Sequence, residues 1–592
     1  MARRPAGTRI ALAKSRWLRA GFRRRFGFAV FPSTPPSPMF GLHPYDFAVI
    51  VAYLGLMAAI GLYAARRVRS TSEYFMGNRK FGKLLMIGQS LGVGTHADQP
   101  VGTAGKSYEW GFSGIWFGWK FIFCTPFYWL IAPIFRRLRY ITSAEYMEAR
   151  FGRGLGILYG LYAVLYLMLN MTAMQNGAAK VVSQATAGGI SHSVVIWSMS
   201  IIFVGYSFLG GRVSSVMTDF FQSLLIIVLS VIILPFGFSQ LGGFHAVKSA
   251  LSDAQLSLAI PGGLTLGLIA VLSLQSLCSI FSQPHVMGSV GTGKTETNCR
   301  VGFTYGNLVK RFCTIGWTLV GLIVIALVAR GKIPALHDPE AAFGVACHYL
   351  LGPGFLGLMV ASILATNMST CSAFMVDMGA LFVQNLYRPY FRATAPDTHY
   401  LNMGRMAGAV MTLSSMGLVY VMPNVLDTLL QGDSLAAFMG VPFLAGLIWP
   451  RANRVGAALS FLAGTGVNIG LNLAWHGNVT AWHANIFIYS LIASLVGLVA
   501  GSLLTKPEPA AAWEALQERL HTPASVDGFP ASEVKARAQE AEANGEGLLL
   551  IDVLRLRQTF SFRRYRADLV GLAGALGVVV VLIACAFAIA HA

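Results

Sequence analysis

The stretch MIGQSLGVGTHADQPVGTAGKSYEWG, Met86 to Gly111, decides how the chain is read. It begins as an apolar run, yet Gly88, Gly92, Gly94, Pro100, Gly102 and Gly105 interrupt it, and His96, Asp98 and Gln99 fall near its middle. Glycines alone suit close helix packing within a bilayer. They do not account for three polar side chains beside a proline, because an ionisable group at membrane depth costs roughly 3 kcal/mol or more unless it is paired. A helix broken here leaves carbonyls and N–H groups without their usual partners. Such groups are tolerated only where they face a cavity or coordinate something.

The membrane setting follows from the rest of the chain. Of 592 residues, 55% are hydrophobic and only 12% charged, and the mean hydropathy is +0.59. That mix lies outside the range of soluble globular proteins. Apolar runs of helix-spanning length recur about fourteen times, from 45–65 to 568–588, so the expected fold class is an all-α polytopic membrane protein. Lys and Arg collect in alternate loops, among them Arg66, Arg67, Arg136, Arg137, Arg139, Arg150, Lys294, Arg300, Lys310 and Arg311. By the positive-inside rule the first helix starts outside. Residues 1–38 then sit awkwardly, with nine basic residues from Arg3 to Arg25, no acid, and no apolar core of a signal peptide. Either they form a basic arm or Met39 is the true beginning; topology favours the second. The net charge of +20 reads as a topology signal and as contact with anionic lipid rather than nucleic-acid binding.

One motif points elsewhere. GSVGTGKT, Gly288 to Thr295, matches the GxxxxGK[ST] spacing of a nucleotide-binding loop. That loop needs a buried strand before it and a parallel sheet around it. Here the preceding segment, Leu264 to Phe281, has the length of a membrane span, and LLLID, Leu548 to Asp552, is the one segment resembling a partner strand. The expectation is a Gly-rich connector and no nucleotide.

Two further spans break helical rules. The seventh, near 262–282, carries Gln275 and Ser276 in its middle and ends in SQPH, Ser282 to His285. It lies five spans after the 84–105 segment. Discontinuous helices at corresponding places in two halves point to an inverted repeat, near 84–236 and 262–449, with a site between the halves. The ninth, LMVASILATNMSTCSAFMVDMGALFVQNLY, holds Thr366, Ser369, Thr370, Ser372 and Asp377. Hydroxyls and a carbonyl one turn apart converge on one point, and a neutral oxygen cage suits a monovalent cation that must leave again.

These residues, with TSAEYMEARFG (Thr142 to Gly152) and GGRVSSVMTDFFQ (Gly210 to Gln222), resemble the sodium:solute symporters of the sodium/glucose and sodium/proline cotransporter family, over roughly 40–505. The resemblance implies the LeuT-type fold of five plus five inverted helices. It also implies a sodium site with backbone oxygens from Gly92, Thr95 and Thr366 and side-chain oxygens from Ser369 and Thr370. Asp219 resembles a family acid implicated in sodium coupling, although a helix-start carboxylate is an equal reading of it. Gln99 resembles a position near the substrate, with His96 and Asp98 beside it. The chain departs from the sugar transporters at Leu274, where they carry a substrate asparagine, so sugar specificity does not carry over; Gln275, Gln283, His285, Gln431 and Asp433 are open to two readings, a different pocket or packing residues satisfied within the bundle.

The function so implied is symport: Na+ drives import of a small polar organic solute across a bacterial inner membrane, with no enzymatic step. A transporter-fold sensor that binds solute without moving it is the alternative. The expected domains are an extension at 1–38, a transporter core at 39–504, a cytoplasmic tail at 505–567 and a last membrane helix at 568–592.

Overall fold

The computed structural model describes residues 41–66, 68, 70–260, 264–527 and 529–591. The extension at 1–38 lies outside them. Among the described residues the one β pairing is an isolated bridge between Phe81 and Gly293, and everything else is helix and connection.

The helices used below are α1 (Pro44–Ala65), α2 (Lys83–Gly94), α3 (Asp98–Trp110), α4 (Tyr128–Leu138), α5 (Arg153–Ala185), α6 (His192–Val231), α7 (Leu266–Ser279), α8 (Pro284–Val290), α9 (Glu296–Ala329), α10 (Phe355–Phe382), α11 (Asp397–Leu418), α12 (Val425–Ile448), α13 (Arg454–His476), α14 (Ala484–Leu504) and α15 (Arg566–His591). Nine membrane spans among the described residues are long and apolar enough to cross a bilayer, ten if α7 and α8 count as one bent span. The expected fourteen are not all recovered on that test, for identifiable reasons. The 84–105 segment is split into α2 and α3, of 12 and 13 residues. Spans five and six run on as one helix through a kink at Gly211, whose φ of 52° a residue with a side chain rarely adopts. Apolar side chains face outward along these helices, as a lipid-facing surface requires: Leu161 is 62% exposed, Ile201 63% and Val580 66%.

Both expected breaks are present. Thr95 leaves α2 in extended conformation, and α3 starts again at Asp98. The axes of α7 and α8 meet at 54° across residues 280–283, where the Tyr159 hydroxyl donates to the Ser282 carbonyl at 2.6 Å. The two motifs outside the breaks turn out to be anchors. Thr142 and Glu145 form a reciprocal cap on helix Ser143–Phe151, and Arg150 from that helix donates to the carbonyls of Gly446, Pro450 and Ala452 at the end of α12. Arg212, just past the Gly211 kink, pairs with Asp377 of α10 and donates to Ser289 of α8 at 3.4 Å.

That anchor explains the nucleotide-loop lookalike. A Cβ at Gly288 would lie 2.3 Å from Asp377 Oδ1 and 3.1 Å from the Arg212 guanidinium, so the first glycine makes room for the ion pair. At Gly293 a Cβ would meet Cys299 Sγ at 2.5 Å. Thr295 caps α9 by accepting from the Asn298 N–H. Leu548 to Asp552 forms turns, not a strand.

The segment between α14 and α15 packs onto the basic ends of the membrane helices. Arg137, fully buried at the end of α4, holds both Glu296 oxygens and the carbonyls of Leu520 and Glu546. Arg136 and Arg139 both reach Asp527, and Arg300 pairs with Asp568 at the start of α15.

Candidate functional site

The break between α2 and α3 is pressed against α10 and α6. The contact is close because Gly92 lacks a side chain: a Cβ there would lie 2.7 Å from Ser369 Oγ and 3.3 Å from the Asp219 carbonyl oxygen. Thr370 Oγ1 lies 3.2 Å from the Gly92 carbonyl, 3.3 Å from that of Val93 and 3.5 Å from that of Thr366 one turn earlier. Ser369 Oγ donates to Asp219 Oδ1 at 2.5 Å, and Ser215 donates to the other carboxylate oxygen at 3.3 Å. Thr95 at the break is buried, and among the described residues its hydroxyl has no partner.

The arrangement therefore brings Gly92, Thr366, Ser369 and Thr370 together, with Thr95 at the end of α2. It also brings Asp219 into direct contact with Ser369, which spacing alone left open. Asp219 is fully buried, and the nearby Arg212 is committed to Asp377. A buried carboxylate with hydroxyl neighbours and no paired cation is costly by itself. Oxygen donors from carbonyls, hydroxyls and one carboxylate are the set a hard cation prefers, so the residues fit a sodium ion.

A narrow cavity of about 50 Å³ adjoins the same break. Gly94, His96 and Gln99 line it from the break, Gln283 and His285 from α8 and the turn before it, and Tyr166 and Asn170 from α5. His285 stacks on Tyr166, with centroids 6.0 Å apart and rings 4° from parallel. A smaller recess of about 20 Å³ continues past Asp98 and Gln99 to Gly102 and Leu426. Those two residues also border a vestibule of about 540 Å³ rimmed by Lys106, Glu109, Asp338, Glu340 and Asp427.

Of the expected solute residues, His96 and Gln99 face the cavity and Asp98 faces the recess. Gln275 does not line either: its amide nitrogen bridges the Leu430 carbonyl at 3.0 Å and Ser434 Oγ at 2.8 Å, tying α7 to α12. Gln431 likewise donates away from the cavity, to the Ala481 carbonyl.

The largest correction concerns charge. Lys310 and Arg311, counted in the sequence as loop residues, lie well inside α9 and are buried against the cavity. The helix begins at Glu296, about 20 Å before them at 1.5 Å per residue, whereas the strongly apolar run starts only beyond them. A signal was available: Asn307, Lys310, Arg311, Thr314 and Thr318 recur at three- and four-residue spacing and make one buried polar stripe. Lys120, also missed, pairs with Asp433 across the cavity.

Two broken helices, an oxygen cluster at one break and a polar cavity beside it define a secondary transporter of the inverted-repeat type. Residues 74–464 match the model of the sodium:solute symporter family, and the chain belongs to that family. It is similar to the osmoregulated proline transporter OpuE of Bacillus subtilis, 24% identical over 476 residues, covering 77% of this chain and 94% of that protein. It is also similar to a sodium/proline symporter of Staphylococcus aureus, 25% identical over 498 residues, covering 78% and 93%. Among solved structures, a Na+-coupled sialic acid symporter in a substrate-bound outward-open state superposes with a TM-score of 0.67 at 18% identity, covering 78% of this chain and 98% of the other. The chain is thus a multi-pass membrane transporter, not an enzyme, and sodium is the coupling ion of its family.

Proposed function

We propose that the protein imports a small polar organic solute together with sodium by alternating access. The observation that carries this reading is that one helix break supplies both sites. Gly92 lies within the ion cluster, while Gly94, His96 and Gln99, two to seven residues on, line the solute cavity. An ion bound among Gly92, Thr95, Thr366, Ser369 and Thr370 ties α2 to α10 and fixes the break in the shape the solute meets. Solute and ion then favour the same conformation, which is what coupling requires. Asp219 contributes through Ser369, holding its hydroxyl in place and supplying negative charge at the cluster.

The vestibule, the recess and the cavity follow one another through shared residues, Gly102 and Leu426 first, then Gln99 and Lys310. The vestibule opens on the face that the distribution of Lys and Arg assigns to the outside, so the series supports an inward route for solute. One sodium ion moving through 100 mV and down a tenfold gradient supplies about 3.7 kcal/mol, enough for a several-hundredfold accumulation of a neutral solute. The packed segment at 505–567 is read as lying on the cytoplasmic face, where the basic residues collect.

The test is counterflow in proteoliposomes. Liposomes loaded with unlabelled solute should take up labelled solute faster in NaCl than in KCl. Proline is the first solute to try, given the relatives, followed by sugars and carboxylates. Specific binding without exchange, for every solute that binds, would overturn the reading in favour of a sensor.

A further inference from the structure

The charged groups around the solute cavity do not balance. Lys310 and Arg311 project from α9, Lys120 from the segment before α4, Asp433 from α12 and Asp98 from the start of α3, while His96 and His285 complete the ring. Lys120 and Asp433 pair with each other. Asp98 has a contact with His96 at 3.4 Å, but among the described residues neither of its oxygens accepts a hydrogen bond. It faces a recess into which Lys120, Lys310 and Arg311 also point. With both histidines neutral, three cations face two carboxylates. Protonating either histidine only widens the excess.

Lys310 is the group placed to use that excess. It is 94% buried, since only 6% of its surface is accessible. Its ammonium has three donors, and among the described residues it donates only to the Gly94 carbonyl, a neutral acceptor at the helix break. Its remaining donors are available to the cavity it lines. Arg311 is spent differently: Nε donates to Thr125 Oγ1 at 3.3 Å and a terminal nitrogen to the Gly118 carbonyl at 2.9 Å, and among the described residues it pairs with no carboxylate. A buried cation without a counter-ion is costly, and an anion entering the cavity removes that cost.

We infer that the transported solute is a small organic monoanion whose carboxylate is received by the Lys310 ammonium. This rests on the symporter reading above and narrows it. A sugar brings no charge, and a zwitterionic amino acid leaves the positive excess uncompensated. A monoanion brings the count to zero. The volumes of about 50 and 20 Å³ favour a compact acid over a disaccharide or a nucleotide. Because Gly94 closes α2 two residues after the ion ligand Gly92, a carboxylate that draws Lys310 away from the Gly94 carbonyl acts directly on the break that shapes the sodium cluster.

Matched pairs that differ by one charge test this on the full chain in proteoliposomes under an inward sodium gradient. Labelled lactate, pyruvate and propionate are compared with lactamide, propionamide, proline and glucose. The expected result is saturable sodium-dependent uptake of at least one carboxylate, with its amide at least tenfold weaker as a competitor. Lys310→Gln should raise the half-saturating carboxylate concentration at least tenfold, while Lys310→Arg, which keeps the charge, should lose less. Variant folding is checked by a monodisperse elution profile, and the acid and amide comparison needs no variant at all. Sodium-driven uptake of proline or glucose unaffected by carboxylates would overturn the anion assignment and leave the symporter reading standing. Sodium-independent behaviour of every solute would overturn both.

Discussion

Gly92→Ala places a methyl group where no space exists. Its Cβ would lie 2.7 Å from Ser369 Oγ, 3.2 Å from Asp219 Cβ and 3.3 Å from the Asp219 carbonyl oxygen. Backbone cannot yield as a flexible side-chain end does, so α2 must withdraw from α6 or Ser369 must leave its rotamer. Overpacking of this kind costs about 1–3 kcal/mol. The cost falls where the carbonyl of residue 92 and the hydroxyl of Ser369 would meet one ion. The half-saturating sodium concentration should therefore rise about five- to 140-fold, at 1.4 kcal/mol per factor of ten. The assay is solute uptake across a sodium titration at fixed solute, with surface protein measured in parallel. Gly55→Ala, at a position with nothing within 4 Å of the added Cβ, serves as the control and should titrate as the parent does. A normal amount of Gly92→Ala protein with an unchanged sodium midpoint would refute the reasoning.

Other expectations follow from the same contacts. Gln99→Ala should raise the half-saturating solute concentration severalfold, whereas Gln275→Leu should leave it near normal and lower thermal stability, because Gln275 binds α12 and not the cavity. Lys294→Ala should preserve transport, since the exposed Lys294 side chain follows a turn whose glycines serve helix packing, and no ATP binding that depends on this residue is expected in a filter assay. Arg137→Ala breaks a buried pair with Glu296 and strips donors from two tail carbonyls. A loss of about 3–5 kcal/mol should appear as a lower melting temperature and faster proteolysis between 505 and 567.

The architecture was legible where the sequence violated a rule. Glycines, a proline and three polar residues in one apolar run announced the break after Gly94, and SQPH announced the bend before α8. The grouping of hydroxyls on α10 was legible because Thr366, Ser369 and Thr370 stand within one turn of a helix; the ligand roles proposed for them came from the family resemblance. Asp219 was only half legible: its motif marked it, but the choice between a helix-start carboxylate and an ion-site acid depends on α6 crossing α10 at Ser369, a long-range contact that no local pattern encodes. The lining of the cavity was read least well. Lys310 and Arg311 stand near the start of the apolar run of their helix, so a count of basic residues by loop assigns them to the cytoplasmic side, and the polar stripe at helical spacing contradicts it. Gln275 failed in the opposite sense, since a polar residue beside a helix break has two faces to choose from and periodicity does not say which one meets the cavity.

The central claim is that the break in the first core helix and the hydroxyls of α10 share one sodium ion. Sodium titrations of uptake by Ser369→Ala and Thr370→Ala test it most directly. Each substitution removes one oxygen without adding charge or bulk, a loss of about 1.5–3 kcal/mol for a contact to a charged group. The account predicts that both variants reach the membrane at near-normal levels and that their half-saturating sodium concentrations rise by at least tenfold. Unchanged midpoints in both would contradict it.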